Sequence, residues 1–339
     1  MLTRRTALAW GALCIAAQAA PLRAVAQERA QGQAQEGQAA PTVDFGITRL
    51  RFASEREGRE VLGADDDWVE ATGDFYRRAM LGVNSPVSLE KLRAFSADTV
   101  LPWAAAQQAR WTRAMTRVAP RLRELGVALP PEVLLISSNG RDSANAPYTR
   151  RNAIVMPAKA LPDNPDLEAF VFAHELFHVV SRRSPALATR LYALIGFEAT
   201  APLEWPQEWL PLRIANPDAP HDRHLMRTTL RGRELSLMPL LVMRRAELKP
   251  GESFFDVLEI RLLEVSTDGA KTMPVRREGQ PVWHVPADVP DYLARLGGNT
   301  QYIFHPEETV ADNFALLVTG RSVPNPGLLK RFAAALQNT

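Results

Sequence analysis

Cysteine is almost missing from this chain: of 339 residues only Cys14 carries a thiol. It lies in an N-terminal stretch expected to be removed, so the mature protein has no disulfide and no cysteine nucleophile. A domain of this size without disulfides must then be stable on its apolar core alone. An excess of one charge is also absent, with Lys and Arg totalling 40 against 38 Asp and Glu. Loss of residues 1–26 removes Arg4, Arg5 and Arg23 but no acid, which leaves the balance near neutrality. There is thus no electrostatic reason to expect nucleic acid or an anionic membrane as partner. No G-x-S-x-G elbow, phosphate-binding glycine loop or dinucleotide fingerprint occurs, and no internal repeat.

What is present begins at the N-terminus. Thr3-Arg4-Arg5-Thr6-Ala7-Leu8 leads into an apolar run from Ala7 to Ala20, followed by Ala24-Val25-Ala26, an A-x-A cleavage pattern. The run is shorter than the roughly 20 apolar residues a membrane span needs. Residues 1–26 are therefore expected to be an export signal, delivering a periplasmic or secreted protein with no stable membrane span. The paired arginines, the basic Arg23 and the weakly hydrophobic core resemble a twin-arginine signal. Ala7 stands where that pattern has a large apolar residue, which leaves the general secretory route open. Residues 27–42, rich in Gln, Ala, Glu and Gly, read as a disordered leader. Residues 43–339 read as one catalytic domain.

The chemistry concentrates in His174-Glu175-Leu176-Phe177-His178. Side chains four apart on an α-helix share one face with Cβ atoms about 5–6 Å apart, so both imidazoles can close on one Zn²⁺ at roughly 2.0–2.1 Å. Glu175 lies about 100° around the helix from His174, where it can act as general base on a water rather than as ligand. The competing interpretation is a hydrogen-bonded pair of core histidines. Against it stands the flanking run Leu167, Phe170, Val171, Phe172, Ala173, Leu176, Phe177, Val179 and Val180, apolar nearly all round and so typical of a buried helix. Two histidines and a glutamate buried there would cost several kcal/mol unless paired or metal-bound. Asn164 as N-cap, Pro165 in the first turn and Asp166 near the positive dipole end mark the helix start.

H-E-x-x-H is the signature of the zincin metallopeptidases, and a second element refines the resemblance. In His305-Pro306-Glu307-Glu308-Thr309-Val310-Ala311-Asp312, the run Glu308 to Asp312 resembles the E-x-x-A-D element of gluzincins. That resemblance implies that Glu308 completes a zinc shell with His174 and His178, and that Asp312 hydrogen-bonds a zinc histidine and so fixes its tautomer. Glu198 is the alternative third ligand, at the spacing thermolysin-like peptidases use, although Pro202 follows it closely. Tyr302 and His305, beside the Glu308 helix, are candidates to polarise a developing oxyanion.

The remaining pattern is mixed. Helices are expected over Asp66 to Leu81, Trp103 to Leu125, Ala186 to Ile195, Val289 to Leu296, Pro306 to Thr319 and Gly327 to Leu336. Strands at Glu132 to Ser137 and Asn152 to Met156 would make a small sheet packed on the motif helix, with an edge open to an extended peptide. Pro202 to Pro220 reads as a long loop of the kind that borders clefts. Leu225 to Leu230, Glu234 to Met243 and Phe254 to Val265 suggest an antiparallel meander. The expected fold is thus α+β: a zincin-like unit, a meander insertion and C-terminal helices. The expected function is hydrolysis of a peptide or protein substrate. A zinc-binding scaffold without catalysis, and a zinc hydrolase for a non-peptide bond, are the alternatives.

Overall fold

The computed structural model describes residues 42–45, 48–249, 252 and 256–337. The expected export signal lies outside these residues. So does the expected leader, apart from Thr42, which is already in the first strand. In chain order the elements are β1 (Thr42–Phe45), β2 (Thr48–Phe52), α1 (Glu55–Leu62), α2 (Asp67–Ala71), α3 (Asp74–Leu81), α4 (Leu89–Asp98), β3 (Val100–Leu101), α5 (Ala105–Glu124), β4 (Glu132–Ser138), β5 (Tyr148–Arg150), β6 (Ala153–Pro157) and α6 (Pro165–Arg183). They continue with α7 (Pro185–Ala193), β7 (Phe197–Ala199), β8 (His224–Leu230), β9 (Arg233–Met243), β10 (Leu258–Thr267), β11 (Thr272–Pro274), β12 (Arg276–Arg277), β13 (Gln280–Pro281), β14 (Trp283–His284), α8 (Pro290–Arg295), α9 (Pro306–Thr319) and α10 (Pro326–Gln337). The architecture is mixed α+β.

The sheet expected from two strands is six-stranded, in the order β1-β2-β4-β6-β5 with β3 added on β4. Strands β2, β4 and β6 run parallel, while β5 returns antiparallel to β6. Among the described residues β5 pairs with β6 alone, which puts it at an edge. The polar stretch after β4 is therefore not all turn: it carries the chain back to this short edge strand.

Helix α6 lies between this sheet, α5 and α9, its most extensive neighbour being α9. It is buried without a break from Phe172 to Ser181, which explains why its apolar residues do not confine themselves to one face. Phe172, Ala173, Leu176, Phe177 and Val180 join the sheet residues Val133, Leu135, Ile154 and Met156, and Phe314 of α9, in one core. Asn164 caps α6 by accepting from the backbone N–H of Asp166 and Leu167 at 3.0 and 3.1 Å. Glu168, fully buried in the first turn, is paired with Arg110 of α5 at 2.6 Å, tying the two helices together.

The helix expected over Asp66 to Leu81 is two helices. Thr72 turns both its N–H and its hydroxyl onto Val69 O, which ends α2. Gly73 then passes close to another segment: a Cβ there would stand 3.3 Å from Leu210 O.

The second sheet has the order β11-β10-β9-β8-β7, antiparallel throughout, with β14 added on β10. Arg231 and Gly232, with φ of 53° and 78°, form the two-residue β8–β9 turn, whose positive φ values suit the right-handed strand twist. One face of the meander, through Met226, Leu235, Leu237 and Leu262, meets the main core. The other, through Met238, Leu240, Val242 and Leu263, is covered by Trp205 and Trp209. The Pro- and Trp-rich loop is thus fastened across the sheet, with a 3₁₀ turn at Gln207–Leu212. No helix among the described residues is long and apolar enough to cross a membrane.

Candidate metal centre

His174 and His178 sit one turn apart on α6, and their rings are 5.0 Å apart between centroids. Helix α9 brings acids against them. His305 caps that helix by accepting from Glu307 N at 3.1 Å, and Pro306 opens it, so Glu307 and Glu308 occupy its first turn. Glu308 and Asp312 lie one turn apart on a shared face and both reach His174. Asp312 Oδ1 is 2.8 Å from Nδ1, and Glu308 Oε2 is 3.2 Å from Nε2. Glu307, on the adjoining face, stands 2.7 Å from His178 Nδ1, while His178 Nε2 points toward Glu308 Oε2 at 4.0 Å.

Each imidazole therefore gives its Nδ1–H to a carboxylate and presents Nε2 to the same oxygen of Glu308. His178 is 0 % exposed, and its Nε2 has no hydrogen-bond partner. With Nδ1 carrying the only ring proton, that atom is a buried lone pair aimed at a carboxylate oxygen, an arrangement that a cation between them relieves, either a second ring proton or a metal ion. Ligands of a tetrahedral ion with bonds of roughly 2.0–2.2 Å stand about 3.3–3.6 Å apart. The distances of 3.2 and 4.0 Å bracket that range. The ligand atoms of His174, His178 and Glu308 all fall within 4.8 Å of one another.

Charge supports the same reading. Carboxyl groups of Glu175, Asp218, Glu307, Glu308 and Asp312 converge on these imidazoles, and the Arg182 guanidinium offsets only part of their charge. A divalent cation suits such a donor set of imidazole and carboxylate. Burial opposes charging His174, but Asp312 and Glu308 outweigh it and hold its pKa well above the usual histidine range. Burial also works against an ionised Glu308, yet the facing imidazoles, when protonated, bring its pKa down.

Glu175 points elsewhere. Its Oε2 accepts from Thr149 Oγ1 of β5 at 3.1 Å, and burial pushes its carboxyl up to about 7. It thus lies beside the His174/His178/Glu308 cluster without belonging to it. Tyr302 stands with its ring edge-on to His174, centroids 5.3 Å apart. His305 caps α9 and faces His224 at 6.0 Å. Glu198 is on β7, half-exposed and paired with Arg227 at 3.1 Å, away from the cluster.

Several contacts at the site have no counterpart in the sequence reading. Glu307 also accepts from Ser181 Oγ at 2.6 Å and from the Tyr192 hydroxyl, which locks it against His178. Thr300 Oγ1 donates to Asp312 Oδ2. Asn216 Nδ2 donates to Glu308 Oε1 at 2.5 Å, and Asp218 completes a second cluster with Glu175 and His178. Glu307 did leave a signal, as one of two adjacent acids at a helix start for two histidines. Asn216 and Asp218 left no signal of their own, although the loop that carries them, Pro202 to Pro220, is expected to border a cleft.

No protein family, curated protein or solved structure matches this chain. The site's own geometry therefore carries any functional reading.

Proposed function

We propose that this chain is an exported zinc-dependent metallopeptidase of the gluzincin type, with His174, His178 and Glu308 as zinc ligands. The observation that carries the proposal is the buried, unpartnered His178 Nε2 facing Glu308, with the Glu175 carboxyl beside the same ring. When bound, the ion supplies a Lewis acid and lowers the pKa of water toward about 7. Glu175 takes the proton of the attacking water and returns it to the leaving amine. Asp312 and Glu307 each hold one imidazole in the tautomer that exposes Nε2. Thr149 steadies Glu175, and the Tyr302 phenol, next to His174, donates to the developing oxyanion. Strand β5 supplies a sheet edge against which an extended peptide can lie. Residues 1–26 direct export, and 43–339 make up the zincin-like catalytic domain.

The test combines metal content with cleavage of a peptide library by the native protein and Glu175→Gln. The proposal expects stoichiometric zinc in both and activity only in the native protein, with a loss of about 10²–10⁴-fold on substitution. Stoichiometric zinc with no cleavage by the native protein would instead favour a zinc-binding scaffold. The near-complete burial of the site is the observation that favours that second reading.

A further inference from the structure

The segment that closes the site follows the 3₁₀ turn, from Ile214 to Asp222. Asn216 holds Glu308 Oε1 at 2.5 Å. Asp218 Oδ1 accepts the backbone N–H of Thr149 on edge strand β5 at 2.6 Å, and its carboxylate lies within 4.8 Å of the ligand atoms of Glu175 and His178. Arg182, one turn beyond His178 on α6, anchors the segment with a single guanidinium nitrogen. That nitrogen donates to Pro217 O at 2.8 Å and to Asp218 O and Thr149 O, both at 3.2 Å. Asp218 N closes a local turn onto Asn216 Oδ1 at 3.0 Å.

Three places that an extended acyl substrate needs are thereby filled from within the chain. Thr149 N–H, an outward donor of the sheet edge, has its acceptor; Thr149 O has its donor; and the space next to His178 and Glu175 holds a carboxylate. The residues beneath are closed off, His174, Glu175, His178 and Glu308 being 7, 4, 0 and 3 % exposed, whereas Asn216 to Pro220 form a half-buried outer layer. His178 Nε2, buried and unpartnered, is the atom beneath this cover.

We infer that Asn216–Asp218 is an internal occupant of the cleft, with the Asp218 carboxyl taking the place of substrate beside His178 and Glu175. The chain folded this way is a self-restrained form, and substrate enters as the segment moves off β5. This rests on the metallopeptidase reading of the same site. It concerns the Asp218 carboxyl and the edge of β5, rather than the three ligands.

The experiment measures acetohydroxamate affinity by calorimetry on the zinc-loaded full-length chain and on Asp218→Ala and Asp218→Asn. The amide variant keeps an acceptor for Thr149 N–H, which protects the fold; both are checked for an unchanged circular dichroism spectrum. An increase in affinity of at least about tenfold in Asp218→Ala, with a smaller increase in Asp218→Asn, is the expected result. Stoichiometric zinc in all three proteins with unchanged or weaker acetohydroxamate binding in both variants would overturn the inference and leave the three-ligand site standing. Absence of zinc from the native chain would overturn both.

Discussion

His178 Nε2 constrains the site more than any other atom. Its ring is fixed from behind by Glu307, which is itself held by Ser181 and Tyr192, so the ring has no rotation that hides the lone pair. His174 is held in the same manner by Asp312, backed by Thr300. Removing either orienting acid leaves the imidazole present but free to choose tautomer and angle. Glu307→Ala and Asp312→Ala should each weaken zinc binding by about 10–100-fold, measured by competition with a chromogenic chelator. Glu198→Ala should leave affinity unchanged, since that side chain is engaged with Arg227 on β7. A loss of zinc in the Glu198 variant equal to that in Glu308→Ala would contradict the ligand assignment. At this scale the helical pair is readable because its geometry is local: one turn of one helix brings His174 and His178 together. The residues supplied by β5 and the 216–218 segment are not readable, since their approach depends on how distant parts of the chain pack.

Among the elements, α5, α6 and α9 carry long periodic patterns that are visible in the sequence, and the short β6 and α8 are visible too, whereas β1, β2, α1 and α4 are not. Helix α9 runs over Pro306–Thr319, the span its proline start and apolar spacing suggest. Strand β2 shows a period-two burial pattern, yet five residues are too few to distinguish from loop by pattern alone. Helix α1 escapes a reading based on apolar periodicity, although Ser54 and Glu57 form a capping box, a start signal as clear as the one that marks α6. That helix packs tightly on the sheet through Gly58, where an added Cβ would lie 2.8 Å from Val100 Cγ1 and 3.1 Å from Ile136 Cγ2. Both neighbours are buried core side chains, so they have little room to yield. Gly58→Ala should cost about 1–3 kcal/mol in urea-induced unfolding, even though alanine is the better helix former. A more stable variant would mean that α1 can shift on β3 without loss.

For the molecule as a whole, the absence of thiols outside the N-terminal stretch excludes disulfides, so packing and hydrogen bonding carry the stability, to which a bound metal ion would add. A ligand that binds only the folded state adds about 2.7 kcal/mol at a free concentration of about 100 times its Kd. Chelation should therefore lower the thermal midpoint of the native protein and leave that of Glu308→Ala unchanged. Acid should act through His224. Burial, with smaller contributions from His305 and Arg223, lowers its pKa from 6.5 to about 3, and Tyr192 packs edge-on against its ring. The unfolded chain takes up this proton first as pH falls, so the stabilising effect of neutral His224 is complete above about pH 6.5 and is lost progressively toward about pH 3. The urea midpoint should fall over that window, and less steeply in His224→Gln; equal slopes would remove His224 from the account. The mixed α+β character is evident from the alternation of helical and strand patterns. The fastening of the Pro- and Trp-rich loop across the meander is not, because it depends on Trp205 and Trp209 meeting strands far along the chain.

His174, His178 and Glu308 are proposed to hold one metal ion. Zinc K-edge X-ray absorption on the zinc-loaded native chain tests it most directly. The expected result is one zinc per chain with two imidazole nitrogens and carboxylate oxygen at roughly 2.0–2.2 Å, and loss of that bound zinc in Glu308→Ala. A native chain that retains no zinc, or a zinc shell without imidazole, would contradict it.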